Sequence, residues 1–417
     1  MRMTRRHRGR GTRLVALATV LAGVVALIAS TAASARSQDT TITVETLPIA
    51  NALPLTLGVN KGFFAKYGIT IKTQTLASGN DIALALSNHN GDIGYFGYVP
   101  MMIADITLAH FTLVAASEVE GASVDDNWQN IVVKGNSSIK TPADLAGKTI
   151  STNALKGLGE VVIRGSLQKL GVDPNSVKIV AIPFPSERAA LNSGQVDAVH
   201  LPEPFLTQAL TIDGDRILYA PGPTLGKYWP NGGYAALSSW VKDNPTLAKN
   251  FRLAMNQSLL YSQTHPDEIR ALLPASSQNV RLPIWTPLID RKQLLTLANL
   301  TKKLGVIPGL PNFAQLFPSD IRTGFATGQL EASIRKGVAV RFAGKPVERL
   351  DPGKYQLIVT DASKTAGFRI TGPGVDKSTG IAKTGTVVFN ITLSHGSYVF
   401  TSVGKGRISK GHFAVTQ

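Results

Sequence analysis

Apolar positions along this chain follow two different periods, and the change from one to the other divides it. From Thr41 to Val199 short β-branched runs alternate with stretches whose apolar residues fall three or four apart, the pattern of strands alternating with amphipathic helices. Thr41-Ile42-Thr43-Val44 is the first predicted strand. A helix entered over Pro48–Leu57 ends at Gly58–Gly62, a short one over Phe63–Tyr67 ends at Gly68, and Ile69–Thr73 is the second strand. In the stretch from Ala77 to Pro100, Ser78-Gly79-Asn80-Asp81 reads as a helix entry, and Ile82, Leu84, Ala85 and Leu86 as its apolar face. Asn90-Gly91 is the expected stop. Asp92–Phe96 is a strand, and Pro100 stands where proline starts a new helix.

Further strands are predicted at Leu108–Ser117 and Ile131–Val133. Thr141 caps a turn with Pro142 first and Asp144 within it, Gly147 stops it, and Thr149–Ser151 is a strand. An amphipathic helix runs to Leu170 and stops at Gly171, and Val177–Ile182 is a strand. The stretch from Phe184 to Phe205 then resembles the earlier one: Ser186 opens a helix, Ala190-Leu191 lies on its face, Gly194 ends it, and Val196–Val199 is a strand. Two helix–Gly–strand units predict two related α/β lobes, with a ligand held outside the carboxyl ends of their strands.

Ala235–Ser238 is the expected return crossing, followed by helices over Pro245–Thr264, Asp290–Leu304 and Ser319–Ser333. From Val340 the period falls to two, with strands at Tyr355–Val359, Val387–Ile391 and Tyr398–Phe400, so the tail is a small all-β domain. The predicted organisation is a leader over 1–35, first lobe over 36–133, second lobe over 134–232, return with helices over 233–336, and β domain over 337–417. Hinges are expected at Lys134–Ser138 and Gly232–Ala236.

Composition changes this picture in three ways. Six arginines between Arg2 and Arg13 precede the apolar run Leu14–Ala29, and Ala33-Ser34-Ala35 fits a small-residue cleavage site; this is the pattern of a signal peptide, and Thr4-Arg5-Arg6 hints at twin-arginine export. Without those arginines the formal net charge falls from +16 to +10. From Val340 onward eleven Lys/Arg against four Asp/Glu hold +7 of it, which leaves a body too weakly basic to argue for a nucleic-acid partner. There is no cysteine among the 417 residues, which excludes disulfides, thiolate catalysis, Cys-ligated metals and the lipid-modified cysteine that tethers many exported bacterial proteins. A soluble monomer outside the cytoplasmic membrane, not a lipoprotein, is expected.

Catalytic signatures are missing: there is no Gly-x-Ser-x-Gly, no His-Glu-x-x-His and no phosphate loop. His89, His110, His200 and His265 are scattered without ligand spacing. No enzyme activity, cofactor or metal is expected. The candidate ligand residues are Ser78, Gly79 and Asn80 at one helix start and Thr152, Asn153 and Ala154 after a strand, where free N–H groups suit an anion. Either set reads equally as ordinary caps. Tyr95, Phe96, Tyr98 and Tyr234 sit near strand ends or the crossing, where they line a cleft or fill the core. Asn51 follows the first strand, and Glu203 precedes Pro204. Asp92 and Asp197, each just after a Gly stop, read as structural. The expected ligand is a small organic molecule with an anionic or strongly accepting head and an apolar or planar body; Glu203 in the cleft would favour a zwitterion or aminopyrimidine, and nitrate ranks below these.

Lys61-Gly62-Phe63-Phe64, Gly68-Ile69, Ser78-Gly79-Asn80-Asp81, Ala85-Leu86 and Gly91-Asp92-Ile93-Gly94 resemble the amino lobe of the nitrate/sulfonate/taurine-type binding proteins of ABC importers, a group that includes thiamine-pyrimidine binders. Ile139–Lys148 is similar to that group's domain-crossing segment, and Ala190-Leu191, Gly194–Ala198 and Glu203-Pro204 to its carboxy-lobe site. The resemblance spans Thr41 to Leu304. It implies a two-lobed periplasmic-binding-protein fold of type II that closes on a small-molecule ligand and delivers it to an ABC permease. Pro202 departs from it, standing where the family has an aromatic residue. A pyrimidine-synthesis enzyme on the same fold is the first rival, and it would need a reactive His or a metal set in the cleft. Pro352–Tyr355, Thr371–Val375, Gly396–Phe400 and Lys410–Val415 resemble a cupredoxin-type sandwich. That resemblance places copper ligands at Ala366, Ser402, Lys405 and Ser409, none of them a soft ligand, while His395 and His412 lie elsewhere in the pattern. This argues against an electron carrier. A basic tail that binds anionic cell-wall polymer is compatible with solute binding. Protein incubated with copper(II) and desalted is expected to show no thiolate–copper absorption and no stoichiometric metal; one retained copper per tail fragment, Val340–Gln417, would refute this.

Overall fold

The computed structural model describes residues 40–319, 321, 329–334, 337–342, 345–350, 352–381, 384–404 and 409–416. The leader, and Lys405 of the expected copper positions, lie outside them. Eleven strands make the α/β part: β1 (Thr40–Thr46), β2 (Ile69–Thr75), β3 (Ile93–Gly97), β4 (Phe111–Val119), β5 (Gln129–Val133), β6 (Thr149–Thr152), β7 (Lys178–Ala181), β8 (Ala198–Pro202), β9 (Arg216–Tyr219), β10 (Pro230–Leu237) and β11 (Ile284–Trp285). They form two sheets, ordered β2-β1-β3-β10-β4-β11 and β7-β6-β8-β5-β9.

The two sheets share one plan. In the first, β1 runs parallel to β3 (Val44 opposite Ile93), and β10 is inserted antiparallel between β3 and β4 (Tyr234 opposite Tyr95 and Ala115). In the second, β6 runs parallel to β7 and β8 (Ser151 opposite Val180 and Val199), and β5 is inserted antiparallel between β8 and β9 (Ile131 opposite His200 and Tyr219). Each inserted strand is supplied by chain arriving from the other sheet. Asp92 and Asp197 repeat the plan in detail. Asp92 Oδ2 accepts from Thr43 N at 2.8 Å, and Asp197 Oδ2 from Thr149 N at 2.8 Å. The Asp92 and Asp197 N–H groups donate back to the carbonyls of the same two threonines at 3.0 and 2.9 Å. Each aspartate thus pins the start of a third strand to the start of a first.

Local signals act as their chemistry requires. Ser78 Oγ accepts from Asp81 N at 3.2 Å and caps the helix Gly79–Ser87; Thr141 and Asp144 form a reciprocal capping box. Gly194 ends the helix Phe184–Ser193 at φ 78°, in the left-handed region that glycine enters without a Cβ clash. The first unit stops differently: the helix ends at Ser87 and His89 takes the left-handed conformation, φ 57°, ahead of Asn90-Gly91. The next helix, Tyr98–Thr107, begins directly after β3, before Pro100. The helices Leu158–Lys169, Pro245–Thr264 and Arg291–Lys303 lie where periodicity puts them.

Two expectations are corrected. Lys134–Ser138 follows β5, already within the second sheet, and Gly232–Ala236 is the middle of β10, buried along its whole length. Neither is a hinge. A Cβ on Gly233 would lie 2.8 Å from Ala115 O, and one on Gly232 3.0 Å from Phe96 O, so these glycines let strands approach. The crossings are 120–128 and 220–229. There Glu120 N donates to Trp229 O at 2.9 Å and Tyr228 N to Gly121 O at 3.2 Å. The second correction concerns the helix expected over Ser319–Ser333. Most of 319–328 lies outside the described residues, and Gln329–Ile334 is a strand, because Leu330, Ala332 and Ile334 alternate into the tail's core.

That strand, β12, opens the C-terminal sandwich. It is followed by β13 (Val338–Phe342), β14 (Lys345–Pro346), β15 (Arg349–Leu350), β16 (Gly353–Asp361), β17 (Ala366–Gly372), β18 (Val375–Ser378), β19 (Gly385–Leu393), β20 (Gly396–Gly404) and β21 (Lys410–Val415). They form sheets ordered β14-β13-β12-β16-β19 and β15-β21-β20-β17-β18, packed over Tyr355, Leu357, Phe368, Tyr398 and Phe413. Ser402 and Ser409 bond each other, Ser402 N to Ser409 O and Ser409 N to Ser402 Oγ, both at 2.9 Å. The sandwich meets the first lobe where Gln263 Nε2 donates to Glu331 Oε1 at 3.1 Å.

Beside the crossings lie two buried carboxyl groups. Burial pushes Glu118 up to about 7, held back by Ser117, Tyr95 and Asn51. It pushes Glu120 up to about 7 as well, held back by Asn127 and Gln129 among others. In an unfolded chain both lose their protons near the ordinary value of 4.5. Their contribution is therefore fully present below that value and lost as pH rises through about 7, on the order of 2–4 kcal/mol for each group. Thermal melting from acid to mildly alkaline pH should show wild-type stability falling, and Glu118→Gln with Glu120→Gln should flatten the fall. Parallel curves for variant and wild type would refute it.

Candidate functional site

The carboxyl ends of the parallel strands of the two sheets face one another across a narrow cleft with about 50 Å³ of free volume. Four helices begin on its walls: Gly79–Ser87 after β2, Tyr98–Thr107 after β3, Leu158–Lys169 after β6 and Phe184–Ser193 after β7. Their first residues or N-caps, Gly79, Gly97, Gly157 and Phe184, line it, as does Gly159, the second residue of the helix Leu158–Lys169. With so many glycines the wall is largely bare backbone, and the partial positive ends of four helices converge on one space. Leu47, Ile49, Trp128 and Leu158 give it an apolar side; Gln129, His200 and Asn231 add polar groups. No Lys, Arg, Asp or Glu is among the lining residues. Among the described residues no group of three or more His, Cys, Asp or Glu could hold a metal.

The lobes touch across the mouth. Asn80 Nδ2 donates to Leu155 O at 3.1 Å, and Asn153 Nδ2 donates to Ala77 O at 3.3 Å. Each asparagine stands at the start of one lobe's wall and bonds the backbone of the other. A third bridge, Ala50 N to Glu203 O at 2.9 Å, lies deeper. The cleft is closed.

Of the residues expected at the site, Gly79, Asn80, Tyr95, Asn153 and Ala154 line this space; the other seven lie behind it. Ser78 is occupied as a cap. Asn51 Nδ2 and Tyr95 OH both donate to Glu118 Oε1, at 3.0 and 2.6 Å. Phe96 packs edge-on to Phe111, and Tyr98 to Phe317, inside the first lobe. Tyr234 lies fully buried between Tyr95 and Phe251. Thr152 is fully buried at the end of β6. The Glu203 carboxylate turns away from the cleft to Thr207 N at 3.0 Å, Thr207 Oγ1 at 2.9 Å and Arg281 N at 3.1 Å. It holds a helix start and a neighbouring loop, so the donor-bearing ligand it seemed to call for loses its motive.

His200, Trp128, Gln129 and Asn231 line the cleft without having been singled out. A signal for His200 was present: Asp92-Ile93-Gly94-Tyr95 and Asp197-Ala198-Val199-His200 are repeats of one another, so His200 occupies in β8 the place of Tyr95 in β3.

Comparison with known proteins agrees with this geometry. A protein of Brachyspira hyodysenteriae named as an ABC transporter periplasmic binding protein is 28% identical over 216 residues, 50% of this chain and 61% of that relative, so the chain spans less than two thirds of it. The taurine-binding periplasmic protein of Escherichia coli K12 is 25% identical over 75% of this chain and 88% of its own length. Among solved structures, the alkanesulfonate-binding protein SsuA of Xanthomonas axonopodis bound to MOPS superposes with a TM-score of 0.56 at 16% identity, over 67% of this chain and 99% of that one. The fold of residues 41–304 is thus the two-lobed one of periplasmic binding proteins. A family model described as NMT1/THI5 like matches residues 49–269, more than half of the sequence, and the chain belongs to the NMT1/THI5-like family.

Proposed function

We propose that this protein is the extracytoplasmic solute-binding component of an ABC importer, and that it captures a small organic anion between its two lobes for a permease. The observation that carries this reading is the convergence of four helix N-termini on a cleft with no charged side chain in its wall. Such a site stabilises negative charge through oriented N–H groups, and the Leu47, Ile49, Trp128 and Leu158 side suits an apolar body. The relatives named for taurine and alkanesulfonates support an oxyanion on a short organic chain. No helix among the described residues is long and apolar enough to cross a membrane, which fits a binding protein that meets its permease from outside. The enzyme reading has less support: the cleft wall does hold an imidazole, His200, but no carboxylate or thiol lines the cleft beside it to make it part of a reactive set.

Melting and calorimetry with taurine, propane-1-sulfonate, nitrate and, as a cationic control, choline test this. The sulfonates should raise the melting temperature and bind in the micromolar range or tighter, about −8 kcal/mol, with choline inert. A response to choline alone, or to none of the four, would overturn it.

Asn80 and Asn153 act in this reading as closure bonds. Asn80→Ala and Asn153→Ala should each weaken every ligand by the same factor, roughly five- to tenfold, the worth of one net hydrogen bond. Small-angle scattering should show a larger radius in the unliganded variants than in wild type. A loss confined to one ligand class would instead put these amides on the ligand.

A further inference from the structure

Beyond the helix starts, two side chains in the cleft wall carry buried polar atoms without a partner among the described residues: Asn231 at Nδ2 alone, and His200 at both of its nitrogens. His200, at the centre of β8, is 3% exposed. Neither ring nitrogen has a hydrogen-bond partner among the described residues. A buried imidazole left so is costly, and an orphan of this kind in a cleft asks for a partner from outside the chain. Its counterpart Tyr95 is different: its hydroxyl hydrogen is already spent on Glu118. Of two equivalent positions, one is committed to the wall and one is open.

The surroundings decide which form of the ring is present. A Cβ on Gly159 would lie 3.0 Å from His200 Nδ1, so the first turn of the helix Leu158–Lys169 is pressed against that nitrogen. A helix start carries partial positive charge and disfavours a second proton on the ring. Burial works in the same direction and lowers the imidazole to about 4. No nearby charge opposes this. The flanking strands β5 and β6 carry no ionisable residue. Glu187, on the helix packed behind β8, is raised well above the ordinary carboxyl range by burial, which disfavours its charged form. Glu160 and Arg164 are paired with each other at 2.8 Å, and Arg188 with Asp213 at 2.7 Å. Glu203, next in the chain, is occupied by Thr207 and the Arg281 backbone. Across the cleft Glu118 and Glu120 are themselves raised by burial. The ring is therefore a neutral imidazole, and with Nδ1 against the helix start its hydrogen belongs on Nε2.

We propose that His200 is the specificity-determining side chain of the second lobe, donating its Nε2 hydrogen as a neutral imidazole to the oxyanion head of the ligand. The proposal rests on the reading of the cleft as a small-anion site. It deepens that reading in one respect: the contact from the second lobe is made by an uncharged imidazole that itself takes up no proton. A head that can only donate, such as an ammonium or amidinium group, meets a donor there and is refused.

Calorimetry of wild type, His200→Gln and His200→Phe with propane-1-sulfonate, in two buffers of different ionisation enthalpy, tests this. Gln keeps a neutral donor and should bind within about fivefold of wild type; Phe keeps the bulk, loses the donor and should bind at least about 30-fold more weakly, with a melting temperature no lower than wild type. Glu118 and Glu120 titrate at about 7 across the cleft, so any dependence of heat on buffer, or of affinity on pH between about 5.5 and about 8, should be the same in wild type and His200→Gln. Binding by the Phe variant within about threefold of wild type, a Gln variant as weak as Phe, or a proton uptake in wild type that exceeds that of the Gln variant by close to one would each overturn the proposal. If wild type binds neither propane-1-sulfonate nor taurine nor nitrate, the small-anion reading fails and this proposal fails with it.

Discussion

Each sheet in this protein is finished by a strand that arrives from the other one. Without β10 the first sheet would split between β3 and β4, and without β5 the second would split between β8 and β9. The exchange leaves two connections between lobes, hydrogen-bonded to each other at Glu120–Trp229 and Tyr228–Gly121. Lobes joined in this way can rotate about the paired crossings but cannot part. The same constraint sets the carboxyl ends of both parallel sets face to face, so the cleft is a consequence of the strand exchange.

Within that frame each lobe is built on the same device. The Asp92–Thr43 and Asp197–Thr149 pairs fix a third strand to a first with the same two bonds. Symmetry of framework permits asymmetry of content. Tyr95 and His200 hold equivalent places, and one is wired to a buried carboxyl group while the other has no partner. Division of labour between lobes is written at this level, in single side chains.

Much of this was legible in the chain because it is local. A serine cap, a Thr–Asp box and a glycine stop act within four residues, and the two helix–Gly–strand units announced two lobes. Strand partnership was not legible. Gly232-Gly233 looks flexible in sequence, and only the neighbours Ala115 and Phe96 reveal a strand that needed bare backbone. The site was half legible for the same reason. Asn80 stands at a helix start, whereas Asn153 lies in the loop between β6 and the helix Leu158–Lys169, and what their amides reach, Leu155 O and Ala77 O, lies 75 and 76 residues away. Glu203 misled because its partners, Thr207 and Arg281, cannot be paired with it by spacing. β12 was missed because Leu330, Ala332 and Ile334 follow a helical-looking run.

If the protein serves an importer as proposed, the two amide bonds across the mouth bear on how a permease would read it. They join backbone and side chain of the chain itself, so the shut form draws part of its stability from contacts that need no cargo. A permease that senses shape would therefore meet a background of empty, shut molecules. That background sets the contrast between loaded and unloaded, since a ligand shifts a two-state equilibrium only by its differential affinity. Strengthening the mouth would raise apparent affinity while eroding that contrast. The asparagine bonds, at 3.1 and 3.3 Å and exposed to water, are a weak clasp at the rim, with the Ala50–Glu203 bond behind them, and a rim that opens readily is what a reporter of occupancy requires.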